Sequence, residues 1–169
     1  KPSGCARCPF YRTGTGFANT HGTGTNGVLL VSESLNDHEE QEGMTLTGSA
    51  GYGFFQRLKR LGVEREEFLI TSAISCHAKG HRISSDVLDA CSDYVRAAAE
   101  QLKVICKEKG LTPVIVALGP IAFRQVMGIR EDNPLLKVDY YGYPHWSDKL
   151  ACWVYAADHP MMLMRGNTH

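Results

Sequence analysis

Four short apolar runs along the chain predict buried β-strands, and they lie at 27–34, 67–75, 113–119 and 150–157. Continuous rather than alternating hydrophobicity is typical of strands that are covered on both faces, as in parallel sheets. The intervening segments carry apolar residues at helical spacing and end at glycines or loops. These segments predict helices at 49–62, 84–110 and 120–127.

Strands that alternate with helices predict an α/β fold with right-handed crossovers. We therefore expect one domain over 1–169, a three-layer α/β/α sandwich around a central, mainly parallel four-stranded sheet. Ligands in such sheets bind beyond the carboxyl ends of the strands. Polar residues follow the strands at 32–37, 72–77 and 158–159, so the sequence predicts a site at that edge.

Composition excludes a generally basic nucleic-acid binder, because 18 basic residues balance 18 acidic ones. A polyanionic partner would have to be bound by local clusters. The sequence shows no signal peptide and no apolar run long enough to span a bilayer, which favours a reducing compartment, the cytoplasm or the nucleoid. The chain begins at Lys1 rather than Met, so we expect a fragment or an excised domain.

Four of the six cysteines have the spacing of a metal centre. Two residues lie between Cys5 and Cys8, 67 lie between Cys8 and Cys76, and 14 lie between Cys76 and Cys91. Four thiolates can hold zinc or an iron–sulfur cluster, and the wide second pair suits a cluster better than a zinc finger. The alternatives are disulfides or buried free thiols, and the two remaining cysteines are expected to lie in the core.

Several motifs in one order resemble a known family. The segment 31–51 is similar in length and frame to the first motif of the uracil-DNA glycosylase superfamily, closest to its iron–sulfur branch, called family 4. Segments similar to the other motifs of that branch occur in the same order as in the family, at 4–10, 70–84, 89–91, 114–122 and 159–165. The resemblance implies an α/β/α sandwich, a 4Fe–4S cluster on the four cysteines, and a site for excising DNA bases.

The resemblance also implies two catalytic residues. Glu33 aligns with the motif glutamate, whose carboxylate can stabilise a sugar cation or orient water. His159 aligns with the motif histidine, which can donate a hydrogen bond to the departing base. A solvated glutamate at a strand end and a structural histidine are the alternatives.

The implied base pocket departs from the family pattern at Ser34, Asn36, Leu46 and Ser72. Leu46 replaces a phenylalanine that stacks on the base, and Ser72 replaces an asparagine that reads it. Stacking and base-edge hydrogen bonds each contribute about 1–3 kcal/mol. The substitutions therefore weaken selection of uracil and predict a larger flipped base, such as a 5-substituted pyrimidine.

Contacts with DNA are expected from two segments. A small basic loop precedes the long helix and suits phosphates, and an apolar run after His159 suits a wedge inserted into the duplex. The residues concerned are Lys79, His81, Arg82, Met161, Met162 and Arg165. A solvated loop and simple core packing are the alternatives for these two segments.

Two functions follow from the sequence. The first is a monomeric, monofunctional DNA glycosylase acting on a damaged or modified base in single- or double-stranded DNA. The second is a catalytically silent iron–sulfur module that binds DNA within a replication or repair protein, which the altered pocket favours. A zinc-bound variant is a third, weaker hypothesis.

Overall fold

A computed structural model describes residues 1–133, 136 and 140–164 of the chain. Its strands are β1 (His21–Gly22), β2 (Val28–Ser32), β3 (Leu69–Ser72), β4 (Val114–Leu118), β5 (Pro144–Ser147) and β6 (Cys152–Ala157). Its α-helices are α1 (Asp37–Glu42), α2 (Ser49–Arg60), α3 (Ser85–Lys109), α4 (Pro120–Met127) and α5 (Met161–Met164). Short 3₁₀ turns occupy Ser3–Arg7 and Arg65–Glu67.

The six strands form one sheet in the order β1-β3-β2-β4-β6-β5. The four central strands run parallel, and both edge strands pair antiparallel with their neighbours. The predicted α/β/α sandwich is confirmed, whereas the predicted number of four strands is too low. The additional strands are short edges, and their sequences lack the apolar runs that marked the buried strands.

Helices cover both faces of the sheet, as the continuous apolar runs predict. Leu29 and Val31 of β2 belong to the core on the α3 and α4 side, whereas Leu30 belongs to the core on the α2 side. Each face thus receives alternate residues of the same strand. Among the described residues, no helix combines the length and the apolar character needed to cross a membrane.

The order of the parallel strands places a switch point between β2 and β4. The chain leaves β2 toward β3 on one side and returns to β4 on the other side. Loops that depart in opposite directions leave a crevice at the carboxyl ends of such a strand pair. The fold therefore locates the crevice beside Glu33 and Gly119, the residues that follow β2 and β4.

Candidate active site

A cleft of about 380 Å³ lies at this edge of the sheet. It is within the size range of small-ligand sites. Both predicted catalytic residues line it, together with three of the four predicted base-pocket residues. These five are Glu33, His159, Ser34, Asn36 and Leu46. The structure therefore brings together residues that lie up to 126 positions apart in the chain.

Glu33 follows the last residue of β2 and is half-buried in the wall of the cleft. Its carbonyl accepts a hydrogen bond from the Ile74 amide at 3.1 Å, which continues the ladder between β2 and β3. Burial raises the pKa of the Glu33 carboxyl above its ordinary value. The carboxylate is thus held on a rigid strand end in a partly desolvated setting.

His159 follows β6 and reaches the same cleft. Its Nδ1 accepts a hydrogen bond from the Met161 amide at 3.2 Å, so the neutral ring carries its proton on Nε2. Burial lowers the pKa of the His159 imidazole, which favours this neutral form. A Cβ atom on Gly119 would lie 3.2 Å from the His159 Cβ, so the absence of a side chain there gives the histidine room.

Leu46 and Asn36 are held by the backbone around them. Leu46 is only 3% exposed and has φ 59°, a left-handed conformation that is uncommon for a leucine. Asn36 is the N-cap of α1, and its Oδ1 accepts a hydrogen bond from the Glu39 amide at 3.0 Å. The Asn36 oxygen is therefore already engaged in capping.

Ser72 is the predicted pocket residue that does not line the cleft. It is the last residue of β3 and is 1% exposed, and its hydroxyl is buried without a hydrogen-bond partner. Ser32, which lies beside it in the sheet, does line the cleft and bonds the Thr45 hydroxyl at 2.6 Å. The wall near β3 is therefore supplied by Ser32 rather than by Ser72.

Glu39 is a second carboxylate of the cleft, and the sequence-based reasoning missed it. The side chain is 5% exposed, and its Oε2 accepts a hydrogen bond from the Asn36 amide at 3.1 Å. With the reciprocal bond from Asn36, this contact completes a capping box. The sequence signal that could have revealed Glu39 is the capping-box spacing, an asparagine at position 36 followed three residues later by a glutamate.

The predicted DNA-contact residues of the loop before α3 are Lys79, His81 and Arg82; they lie at the surface, and two of them are ion-paired. The Lys79 ammonium is 3.1 Å from a Glu40 carboxylate oxygen and 3.7 Å from one of Asp37, and Arg82 pairs with Glu131. His81 is exposed. Phosphates would have to compete with these acidic partners for both cations.

The apolar segment after His159 forms the short helix α5 beside the cleft. Met161 is 41% exposed, Met162 is half-buried, and both line the cleft. A partly exposed methionine next to the histidine is compatible with the predicted wedge. Arg165 lies outside the described residues.

The four predicted metal ligands meet in a second cavity, which shares no lining residue with the cleft. Cys5, Cys8, Cys76 and Cys91 all line it, and none of the four forms a disulfide. The Cys8 sulfur accepts a hydrogen bond from the Phe10 amide at 3.3 Å, and the Tyr94 hydroxyl lies 3.8 Å from the Cys5 sulfur. Residues far apart in sequence thus converge on one thiol-lined site.

The spacing of the sulfur atoms allows a test of the expected metal. No three of these four sulfurs, all of which belong to described residues, lie within 4.8 Å of one another. A zinc tetrahedron with Zn–S bonds of about 2.3 Å would bring all four to within about 4 Å. A 4Fe–4S cluster binds each thiolate through a separate iron and needs wider spacing. The four sulfurs would therefore have to move closer together to hold zinc.

Burial keeps part of this set protonated when no metal is bound. It raises the pKa of the Cys76 thiol and raises that of Cys91 to about 12, and neighbouring cysteines contribute further in the same direction. Metal ligation requires thiolates, so binding would release protons. Cys106 and Cys152 are buried core thiols outside this cavity, as predicted.

Comparison with known proteins agrees with this geometry. The family model described as the uracil DNA glycosylase superfamily matches residues 20–169. A "Type-4 uracil-DNA glycosylase" of Pyrobaculum aerophilum is 27% identical over 133 residues, covering 76% of this chain and 64% of that protein. One of Archaeoglobus fulgidus with the same name is 22% identical over 164 residues, covering 95% of this chain and 78% of that protein.

A third relative with this name, from Thermotoga maritima, is 26% identical over 119 residues, which is 70% of this chain and 58% of that protein. The chain thus spans less than two thirds of the Pyrobaculum and Thermotoga proteins. The family match covers most of the chain, including the cleft and two of the four cysteines. The chain therefore belongs to the uracil DNA glycosylase superfamily.

Proposed function

We propose that the protein is a DNA N-glycosylase that hydrolyses the bond between deoxyribose and a base flipped out of the DNA. The observation that carries this proposal is the presence of the Glu33 carboxylate and the His159 imidazole in one cleft at the switch point of the sheet. The family match and the names of the three relatives support it.

Glu33 acts on the sugar side of the reaction. When the C1′–N bond breaks, its electron pair leaves with the base, and positive charge develops on the sugar. A carboxylate next to that charge stabilises it and orients the water, whose oxygen then bonds to C1′ while the proton it loses ends on the departed base. The partly buried position of Glu33 strengthens this electrostatic effect, because less water screens it.

His159 acts on the side of the departing base. Because its Nδ1 already accepts the Met161 amide proton, the Nε2–H is the group that can donate to a base carbonyl. Negative charge grows on that oxygen as the bond breaks. Because the pKa of the His159 imidazole is lowered, the ring is neutral, and it stabilises this charge by donating a hydrogen bond rather than by giving up a proton.

Replacing His159 with alanine should therefore slow excision by about 10²–10³-fold, the usual effect of losing one oxyanion donor. Single-turnover formation of alkali-cleavable abasic sites measures this rate. His38→Ala is the control, since His38 is exposed on α1 and does not line the cleft. An unchanged rate in His159→Ala would remove the histidine from the mechanism.

We further propose that the base is a modified pyrimidine larger than uracil. Leu46 offers an aliphatic wall where an aromatic face would add about 1–3 kcal/mol of stacking. Ser34 and the capping residue Asn36 contribute short side chains to the same cleft. The cleft therefore has few contacts that select uracil and has room for a substituent.

We propose that Cys5, Cys8, Cys76 and Cys91 hold a 4Fe–4S cluster with a structural role. A cluster on these ligands cross-links the N-terminal turn, the segment after β3 and helix α3. The convergence of the four thiols on one cavity and the apolar walls formed by Phe10 and Phe17 support this assignment.

We propose that DNA is bound along the rim beside the cleft. Met161 and Met162 would fill the space vacated by the flipped base. Phosphates would be contacted by a surface loop and by the segment after α5, through Lys79, His81, Arg82 and Arg165. Because Lys79 and Arg82 are paired with acidic groups, we expect modest affinity.

The proposal is tested by incubating the protein with single- and double-stranded oligonucleotides that carry uracil or one of several 5-substituted pyrimidines. We expect abasic product with at least one substituted base, at a higher rate than with uracil. Release of uracil alone would contradict the enlarged site. Salt-sensitive DNA binding with no abasic product from any base would favour the silent binding module instead.

A further inference from the structure

The loop 43–48, between α1 and α2, contributes Leu46 to the wall of the cleft. Leu46 lies at its centre in a left-handed conformation, with φ 59°. A leucine keeps a left-handed backbone conformation only when its surroundings impose it. The contacts that impose it therefore decide the shape of the wall.

Arg65 supplies two of these contacts from outside the cleft. Its Nη1 donates to the Leu46 carbonyl at 2.6 Å, and its Nη2 donates to the Thr45 carbonyl at 3.0 Å. Arg65 begins the 3₁₀ turn before β3 and does not line the cleft. The planar guanidinium thus binds two consecutive carbonyls of the loop, a geometry that a lysine cannot reproduce.

The guanidinium is itself held in place on several sides. Its central carbon lies 4.5 Å from the centre of the Phe55 ring, and its Nη2 lies 2.9 Å from the His21 Nε2. Burial lowers the pKa of the Arg65 guanidinium, and the negative charges of Glu66 and Glu39 oppose that shift. Arg65 is therefore a fixed group rather than a mobile surface side chain.

Two further contacts hold the loop. A Cβ atom at Gly51 would lie 2.1 Å from the Leu46 carbonyl oxygen, so the loop presses directly on the start of α2. The Thr45 hydroxyl lies 2.6 Å from the Ser32 hydroxyl at the end of β2, next to Glu33. The loop is thus connected both to the catalytic strand and to Arg65.

We propose that Arg65 is a positioning residue that fixes the Leu46 wall and thereby determines which flipped bases the cleft accepts. The inference rests on the proposed glycosylase function. Loss of the guanidinium leaves the carbonyls of Thr45 and Leu46 without these donors and allows the loop to relax. Discrimination between bases should then weaken more than the chemical step, because Glu33 and His159 stand on other elements.

The test compares Arg65→Gln and Arg65→Lys with Arg57→Gln. Arg57 is an exposed arginine whose guanidinium bonds the Gly53 carbonyl within its own helix. In Arg65→Gln, hydrogen exchange of the backbone amides over 43–48 should accelerate. The ratio of kcat/KM between preferred and disfavoured bases should also fall roughly tenfold, which is a typical scale for selectivity in a pocket. Arg65→Lys should restore part of both effects, and Arg57→Gln should change neither.

The inference would be overturned if Arg65→Gln kept the wild-type ratio of kcat/KM between bases and showed unchanged amide exchange over 43–48. If Arg65→Gln does not fold, Arg65→Lys decides by the same two measurements. If the wild-type protein excises no base, the proposed function fails. Loop exchange in the Arg65 variants then still decides whether this residue fixes the wall, and unchanged exchange rejects it.

Discussion

Replacing Glu33 with glutamine should reduce excision by about 10²–10⁴-fold, the range over which carboxylates contribute to such reactions. Glutamine keeps the size of the side chain but removes the negative charge that faces the sugar cation. The rate is measured as single-turnover appearance of abasic sites on the best substrate of the panel. Glu108→Gln, at an exposed position near the end of α3, should retain the wild-type rate.

The stability of Glu33→Gln separates catalysis from folding. Because burial raises the pKa of Glu33 in the folded state, that state binds the proton more tightly than the unfolded chain does. Stability is then lost as pH rises through the folded pKa, so at neutral pH the ionised carboxylate destabilises the fold. Glu33→Gln should melt at or above the wild-type temperature. A clear fall in melting temperature together with lost activity would make Glu33 structural.

The central part of the fold could be predicted because burial on both faces requires continuous apolar runs. The strands β2, β3, β4 and β6 all come from such runs. Strand β1 could not be predicted, since it is two residues in a loop rich in glycine and threonine. Strand β5 begins with a proline, which an edge strand tolerates and a central strand does not.

The candidate site was predictable where residues directly follow strands. Glu33 and His159 follow β2 and β6, so the topology alone places them at one edge. The direction of Ser72 depends on packing around the end of β3, which a pattern of residue types does not specify. Arg65 was missed for a similar reason, because its partners are backbone carbonyls that any sequence would supply.

The cluster proposal makes the second large prediction. Protein purified without oxygen should be brown and should hold roughly four irons per chain, as a 4Fe–4S cluster requires. Cys76→Ser should lose most of the iron and the colour, because Cys76 is the proposed ligand that would join the segment after β3 to the N-terminal pair. Metal analysis of the wild-type protein that found zinc and no iron would contradict the assignment.

Cys76→Ser should also destabilise the fold. The proposed cluster would close a loop of 67 residues between Cys8 and Cys76, and covalent closure of a long loop typically contributes about 2–5 kcal/mol. Cys106→Ser is the matched control, since it removes a buried thiol that does not line the cluster cavity. It should keep iron, whatever it does to the melting temperature. Full iron content and an unchanged melting temperature in Cys76→Ser would show that the four thiols do not act as one centre.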